Sequence, residues 1–245
     1  METVLVQHGN LSLLCSDVTD YSGRKFKSIT AYEYAYWAKD THMCRMLERT
    51  MDENTKAAML EKVKAIDTVG LSYEQGGQVV EHSNHFDMTP LKTALQNYVN
   101  GFDAWDAADN YDAMKAAWMR VGLAQRDLPV HVINEYCRLD RSFHPLSDST
   151  FNEDNLPRIL TYYNFNTCSA APLFPLVVSG SSGLGLDFAL LRGGCRRGVH
   201  ASAHRCDGVD LAAVSRLDEV RTVDLTRSRE NLLHVEPEHG LGLNL

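Results

Sequence analysis

Half of what this 245-residue chain says, it says by omission. No apolar run approaches the roughly 18 residues that cross a bilayer, so no membrane span is expected. Net charge is −8 and the isoelectric point about 5.7, so no global basic field recruits nucleic acid or an anionic membrane. The start, Met1-Glu2-Thr3, lacks the basic residues and apolar stretch of a signal peptide, and a cytoplasmic site in the producing cell is expected. Six cysteines in a chain this long, none in a Cys-x-x-Cys pair, are too few for a disulfide scaffold and fit a reduced compartment. What is present, 44% hydrophobic and 23% charged residues, is the composition of a globular protein with a sizeable core.

Basic residues are unevenly distributed. All eight lysines fall between Lys25 and Lys115, and all eight methionines and three tryptophans at or before Met119. Up to residue 115 there are 11 basic against 17 acidic residues, and 13 against 15 thereafter. Four prolines (Pro145, Pro157, Pro172 and Pro175) and then Ser179-Gly180-Ser181-Ser182-Gly183 read as loop and boundary. The expected division is a helical region over 1–140, a boundary over 141–180 and a mixed α/β, loop-rich region over 181–245.

The first region reads as mainly helical. Thr30 with Glu33 three residues on has capping-box spacing, and Ala31, Ala35 and Ala38 leave room for a second helix. The polar break at Lys39-Asp40-Thr41 allows one helix or two short antiparallel ones. Residues 54–69 carry Met59, Leu60, Val63 and Ile66 at helical spacing, with Gly70 as the stop. Residues 73–86, with Gly76-Gly77, read as a hairpin-like loop. Thr89 as cap and Pro90 in the first turn open a further helix, and 111–123 and 128–136 make two more. Later, 176–178 and 184–191 read as a strand pair, and 209–220 and 224–235 as two helices.

Several of these residues resemble ankyrin repeats. Asp20-Tyr21-Ser22-Gly23 is similar to the opening turn, and Thr30-Ala31-Tyr32-Glu33-Tyr34-Ala35 and Thr89-Pro90-Leu91-Lys92-Thr93-Ala94 to the Thr-Pro-Leu-His-x-Ala start. Thr30 to Thr89 is 59 residues, against a repeat of about 33, so the repeats would be degenerate with an inserted helix and loop. The runs 31–47, 129–137 and 183–190 resemble those of ankyrin-containing effectors of Legionella-type intracellular bacteria. That resemblance implies type IV secretion into a host cell and action by protein binding. No cofactor is expected. Tyr32, Tyr36, Trp37 and Trp105 are the aromatic candidates for contacting a protein partner.

Five constellations bear on chemistry. Cys137, with His131, Asp140 and His144 nearby, is the candidate nucleophile of an alternative, cysteine-dependent hydrolase or transferase. Residues six apart, however, are not on one helix face. Cys195, His200, His204 and Cys206 are zinc-ligand types, but their C-x4-H-x3-H-x-C spacing lacks a knuckle; His204 and Cys206 would share a face in a strand. The glycine-rich run 179–185 has no Walker lysine. Asp103, Asp106, Asp109 and Asp112 recur every third residue without the glycine and glutamate of an EF-hand, and read as a solvated acidic turn. Arg192, Arg196, Arg197 and Arg205 have no interleaved aromatics to stack on bases.

Overall fold

The computed structural model describes residues 12–137, 161–164, 169–172, 189–190 and 203–233. The chain is mainly helical, with a small antiparallel sheet. Its elements run β1 (Ser16–Thr19), β2 (Lys25–Ile29), α1 (Ala31–Trp37), α2 (Thr41–Glu48), α3 (Glu53–Val69), β3 (Leu71–Gln75) and β4 (Gln78–Ser83). Then come α4 (Thr89–Ala107), α5 (Tyr111–Arg126), α6 (Val130–Cys137), β5 (Thr161–Asn164), β6 (Ser169–Pro172) and α7 (Ala203–Leu233). They form two compact units. The first gathers 1–19, 25–85 and 221–245; the second 20–24 and 86–220. This differs from the division drawn from composition, and much of the 141–180 boundary lies outside the described residues. Within it, β5 and β6 pair antiparallel where the prolines read as loop.

In the first unit the local chemistry sets the element ends. The Thr30 hydroxyl accepts from the Glu33 amide at 3.1 Å and the Glu33 carboxylate accepts from the Thr30 amide at 2.8 Å, which closes the capping box. Asp40 caps a separate helix α2, so the break at Lys39-Asp40 resolves into two helices. Asp52 caps α3, which ends at Gly70 with φ +81°. A Cβ at Gly70 would collide with the His82 backbone. The hairpin expected over 73–86 is β3–β4, turning at Gly76 and Gly77 with φ of +58° and +79°, both in the left-handed region that a tight hairpin needs. The sheet runs β1-β2-β3-β4, antiparallel throughout. It meets α1 through Phe26, Trp37 and Tyr73, whose ring centroids stand 4.9–5.4 Å apart.

The core beneath joins Tyr32, Tyr36, Cys44, Leu47, Met59, Val63 and Ile66 to Leu225 and Leu232 of α7. The two helices expected over 209–220 and 224–235 are one: residues 209–233 belong to one continuous helix, and 234 and 235 lie outside the described residues. Between Val220 and Asp224 nothing breaks it, and Val214, Leu217, Val220, Leu225 and Leu232 keep one buried stripe. Its residues up to Val220 belong to the second unit and those from Arg221 to the first.

The second unit is built on the α4–α5 pair, whose buried rings Tyr98 and Trp118 stand 4.9 Å apart, with Leu91, Leu95 and Val121 alongside. The cap assigned to Thr89 lies one step earlier. Met88 is the capping position, and the Asp87 carboxylate accepts from the Thr89 amide at 2.8 Å. The side chain of Gln125 reads the backbone of Leu190 from both ends, donating to its carbonyl and accepting from its amide, each at 2.7 Å. The expected strand pair at 176–178 and 184–191 lies, except for Ala189 and Leu190, outside the described residues; those two take no strand conformation.

Candidate functional site

The helices α4 and α5 are long, antiparallel in sequence order and joined by only Ala108, Asp109 and Asn110. Along their shared outer seam they leave a groove of about 650 Å³. From α4 it is lined by Pro90, Thr93, Ala94, Asn97 and Trp105; from α5 by Ala113, Ala116, Ala117, Arg120, Leu123 and Ala124, with Asp127 just past its end. The α5 residues step by three and four, the spacing of one helix face. Because most are alanines, the two helices carry little side-chain bulk there, and the seam stays hollow. Gly101 shapes one end, since a Cβ there would run into the Trp105 ring. Glycine lets the indole lie back along its own helix.

Charge alternates along this groove, from carboxylates at the turn through Arg120 to Asp127 at the far end. At the inter-helix turn Asp106, Asp109 and Asp112 are exposed, and no lysine or arginine occurs between Asp103 and Met114. Farther along, Arg120 lines the wall. The far end is braced by Arg24, which is 4% exposed. It ion-pairs with Asp20 at 3.3 Å, donates to the Asp127 carbonyl at 2.7 Å and lies 5.1 Å above the Phe86 ring.

The groove sits in a segment with relatives. Residues 90–232, more than half of the chain, match a family described as the CBUA0006 C-terminal domain. The chain belongs to this family. It is also 38% identical over 242 residues to "Uncharacterized protein CBUA0006" of Coxiella burnetii, an alignment covering 91% of this chain and 67% of that protein. No solved structure matches the chain. The CBUA0006 C-terminal domain begins one residue into α4, so every groove-lining residue falls inside the matched span. The match ends at Leu232, which is buried in the core of the first unit.

A second gathering of polar groups lies in the first unit, mostly ahead of the family match. Asp67 of α3 accepts from Tyr36 Oη at 3.1 Å and from Arg229 of α7 at 2.6 Å, and stands 3.4 Å from His85 Nε2. The His85 ring packs 5.2 Å from Tyr36. Burial holds the His85 pKa below its usual 6.5, aided by Lys39 and opposed by Asp67. Burial and Asp67 push the Tyr36 phenol up, and burial, Cys44 and Glu48 push Tyr32 up. Tyr32 donates to Glu48 at 2.7 Å, and Asn231 of α7 donates to the other Glu48 oxygen at 2.9 Å. Burial raises the Cys44 thiol well above its ordinary value, which keeps it protonated and unreactive. These groups are arranged to tie α7 to α1, α2 and α3.

The residues singled out from sequence divide sharply. Tyr32, Tyr36 and Trp37 are 0%, 2% and 1% exposed, so these rings are core and not contact surface. Trp105 is half-buried and lines the groove. Cys137 ends α6, with its side chain outside the description; His131 is buried on the same helix, and Asp140 and His144 lie beyond the described residues. His204 and Cys206 stand in a helix, not in the strand where alternate residues share a face, and Cys195 and His200 lie outside the described residues. Among the described residues no group of three or more His, Cys, Asp or Glu side chains is placed to hold a metal ion, and no helix is long and apolar enough to cross a membrane. Asp103 and Asp106 lie in α4, Asp109 in the turn and Asp112 in α5, whose cap is Asn110. Sequence reading missed the alanines of the groove. Their helical spacing was the available signal, but alanine at that spacing also describes an ordinary packed interface.

Proposed function

We propose that the chain acts by binding a protein, and that the α4–α5 groove receives it. The supporting observation is the groove itself, a concavity of about 650 Å³ with small apolar walls, one half-buried tryptophan and few charges. Walls of that kind accept a partner's side chains without moving backbone, which is how helix-in-groove recognition works. The resemblance to ankyrin-containing effectors extends the reading to a host protein as partner and type IV secretion as the route. A degenerate ankyrin-like ancestry is part of this proposal; the two adjacent short helices α1 and α2 are what supports it.

The test is affinity capture from host lysate with the wild-type chain and with Ala116→Trp, which places an indole in the groove from an exposed position. A protein captured by wild type and depleted tenfold or more by the variant is the expected result. Identical captured sets from both proteins would sink the groove as the binding surface.

A further inference from the structure

We infer that the occupant of the α4–α5 groove is a basic amphipathic helix whose positive end lies over the inter-helix turn and which carries an acidic residue about two turns farther on. This rests on the protein-binding reading above and adds the chemistry and orientation of the partner. Two features select it. The walls are small and largely apolar at helical spacing, so an apolar helix face can approach closely. Charge alternates along the seam: Asp106, Asp109 and Asp112 crowd the turn beside Trp105 and Ala113, Arg120 meets the groove from its wall two turns on, and Asp127 lines the far end. Ala113 and Arg120 are seven residues apart on α5, about 10 Å along its axis. A partner helix running along the seam therefore meets the carboxylates and the guanidinium at positions about seven residues apart. Its own dipole adds to this when its N-terminus lies at the acidic turn. An acidic helix would put like charges together at the turn, where desolvation on docking makes repulsion costly.

The experiment uses the full chain and two synthetic 16-residue helical peptides with the same leucine–alanine face. One carries lysines in its first turns and glutamate two turns on; the other has the charges exchanged. Calorimetric titration should show the first peptide binding at least tenfold tighter than the second, with the gap narrowing as salt rises. The triple variant Asp106→Asn, Asp109→Asn, Asp112→Asn should bring the two peptides within about threefold. Asparagine is chosen because residue 109 has φ +50°, which Asn tolerates. Arg120→Glu, at the exposed wall, gives an independent arm and should weaken the first peptide tenfold while improving the second. Ala116→Trp should abolish binding of both.

Equal affinity for the two peptides would overturn the inference, as would a preference that survives the triple variant or binding that survives Ala116→Trp. Self-association of the wild-type chain in sedimentation, lost in Ala116→Trp, would also overturn it by making a second copy the occupant. Should lysate capture depend on the groove while the peptides bind alike, the protein-binding reading stands and the orientation and charge assigned here fall.

Discussion

The two units solve opposite problems with the same kind of helix. In the first, carboxylates and phenols turn inward, and the carboxylates are answered from both α1 and α7: Glu48 by Tyr32 and Asn231, Asp67 by Tyr36 and Arg229. In the second, the α4–α5 seam keeps small side chains and is left hollow, with its carboxylates turned outward at one end. A hydrogen-bonded buried carboxylate fixes one packing arrangement strongly, because removing a partner leaves a desolvated charge. An alanine-walled seam fixes nothing and leaves surface free for another molecule. The difference separates a part of the chain that is closed by its own polar contacts from a part whose seam we propose receives a partner.

The contrast breaks most severely at α7. Leu225→Ala and Leu232→Ala each remove a side chain buried in the first core and should cost about 2–5 kcal/mol. Native-state hydrogen exchange should show α1–α3 amides accelerating while those of α4 and α5 hold. Acceleration of both alike would erase the separation between the units.

Tyr32→Phe is the next largest, at about 1.5–3 kcal/mol, since Glu48 keeps its charge and loses a buried donor. Urea unfolding measures it.

A smaller effect concerns pH. The folded pKa of His85 lies below its ordinary 6.5, so the unfolded chain binds the proton first as pH falls. The contribution of neutral His85 is complete above 6.5, declines as pH drops from there, and levels off below the folded value. Lys39, Asp67, Arg229 and the Tyr36 ring surround the site, and Asp67 moderates the decline. The thermal midpoint of wild type should fall across that window, with a flatter profile for His85→Gln. Smallest of all, Ala116→Trp should leave stability within about 0.5 kcal/mol while removing groove binding. A large loss of stability there would show that the seam is packed core.

What could be read from residues alone was whatever short-range chemistry decides. The capping box at Thr30 and Glu33, the glycine stop at Gly70 and the Gly76-Gly77 turn each depend on groups within a few residues of one another. The rest depended on partners far along the chain. Tyr32, Tyr36 and Trp37 look like contact aromatics until Glu48, Asp67 and Ser83 are seen to take their polar atoms. The groove was illegible because Ala113, Ala116, Ala117 and Ala124 have the same spacing whether a neighbour fills the seam or not. The two leucine patterns of α7 read as separate helices because their common stripe faces a different core on each side of Val220.

That helix has a consequence for the order in which the protein is made. Asn231 and Glu48 are 183 residues apart in sequence, and the hydrogen bond between them helps complete the first core. At a synthesis rate of about 5–20 residues per second, the emerging N-terminal helices wait on the order of 10–40 s for the segment that covers them. Helices α1 to α3, made before α4 and α5, thus wait for the end of α7 before their core closes. During that interval their leucine- and methionine-lined face is the surface most in need of a chaperone.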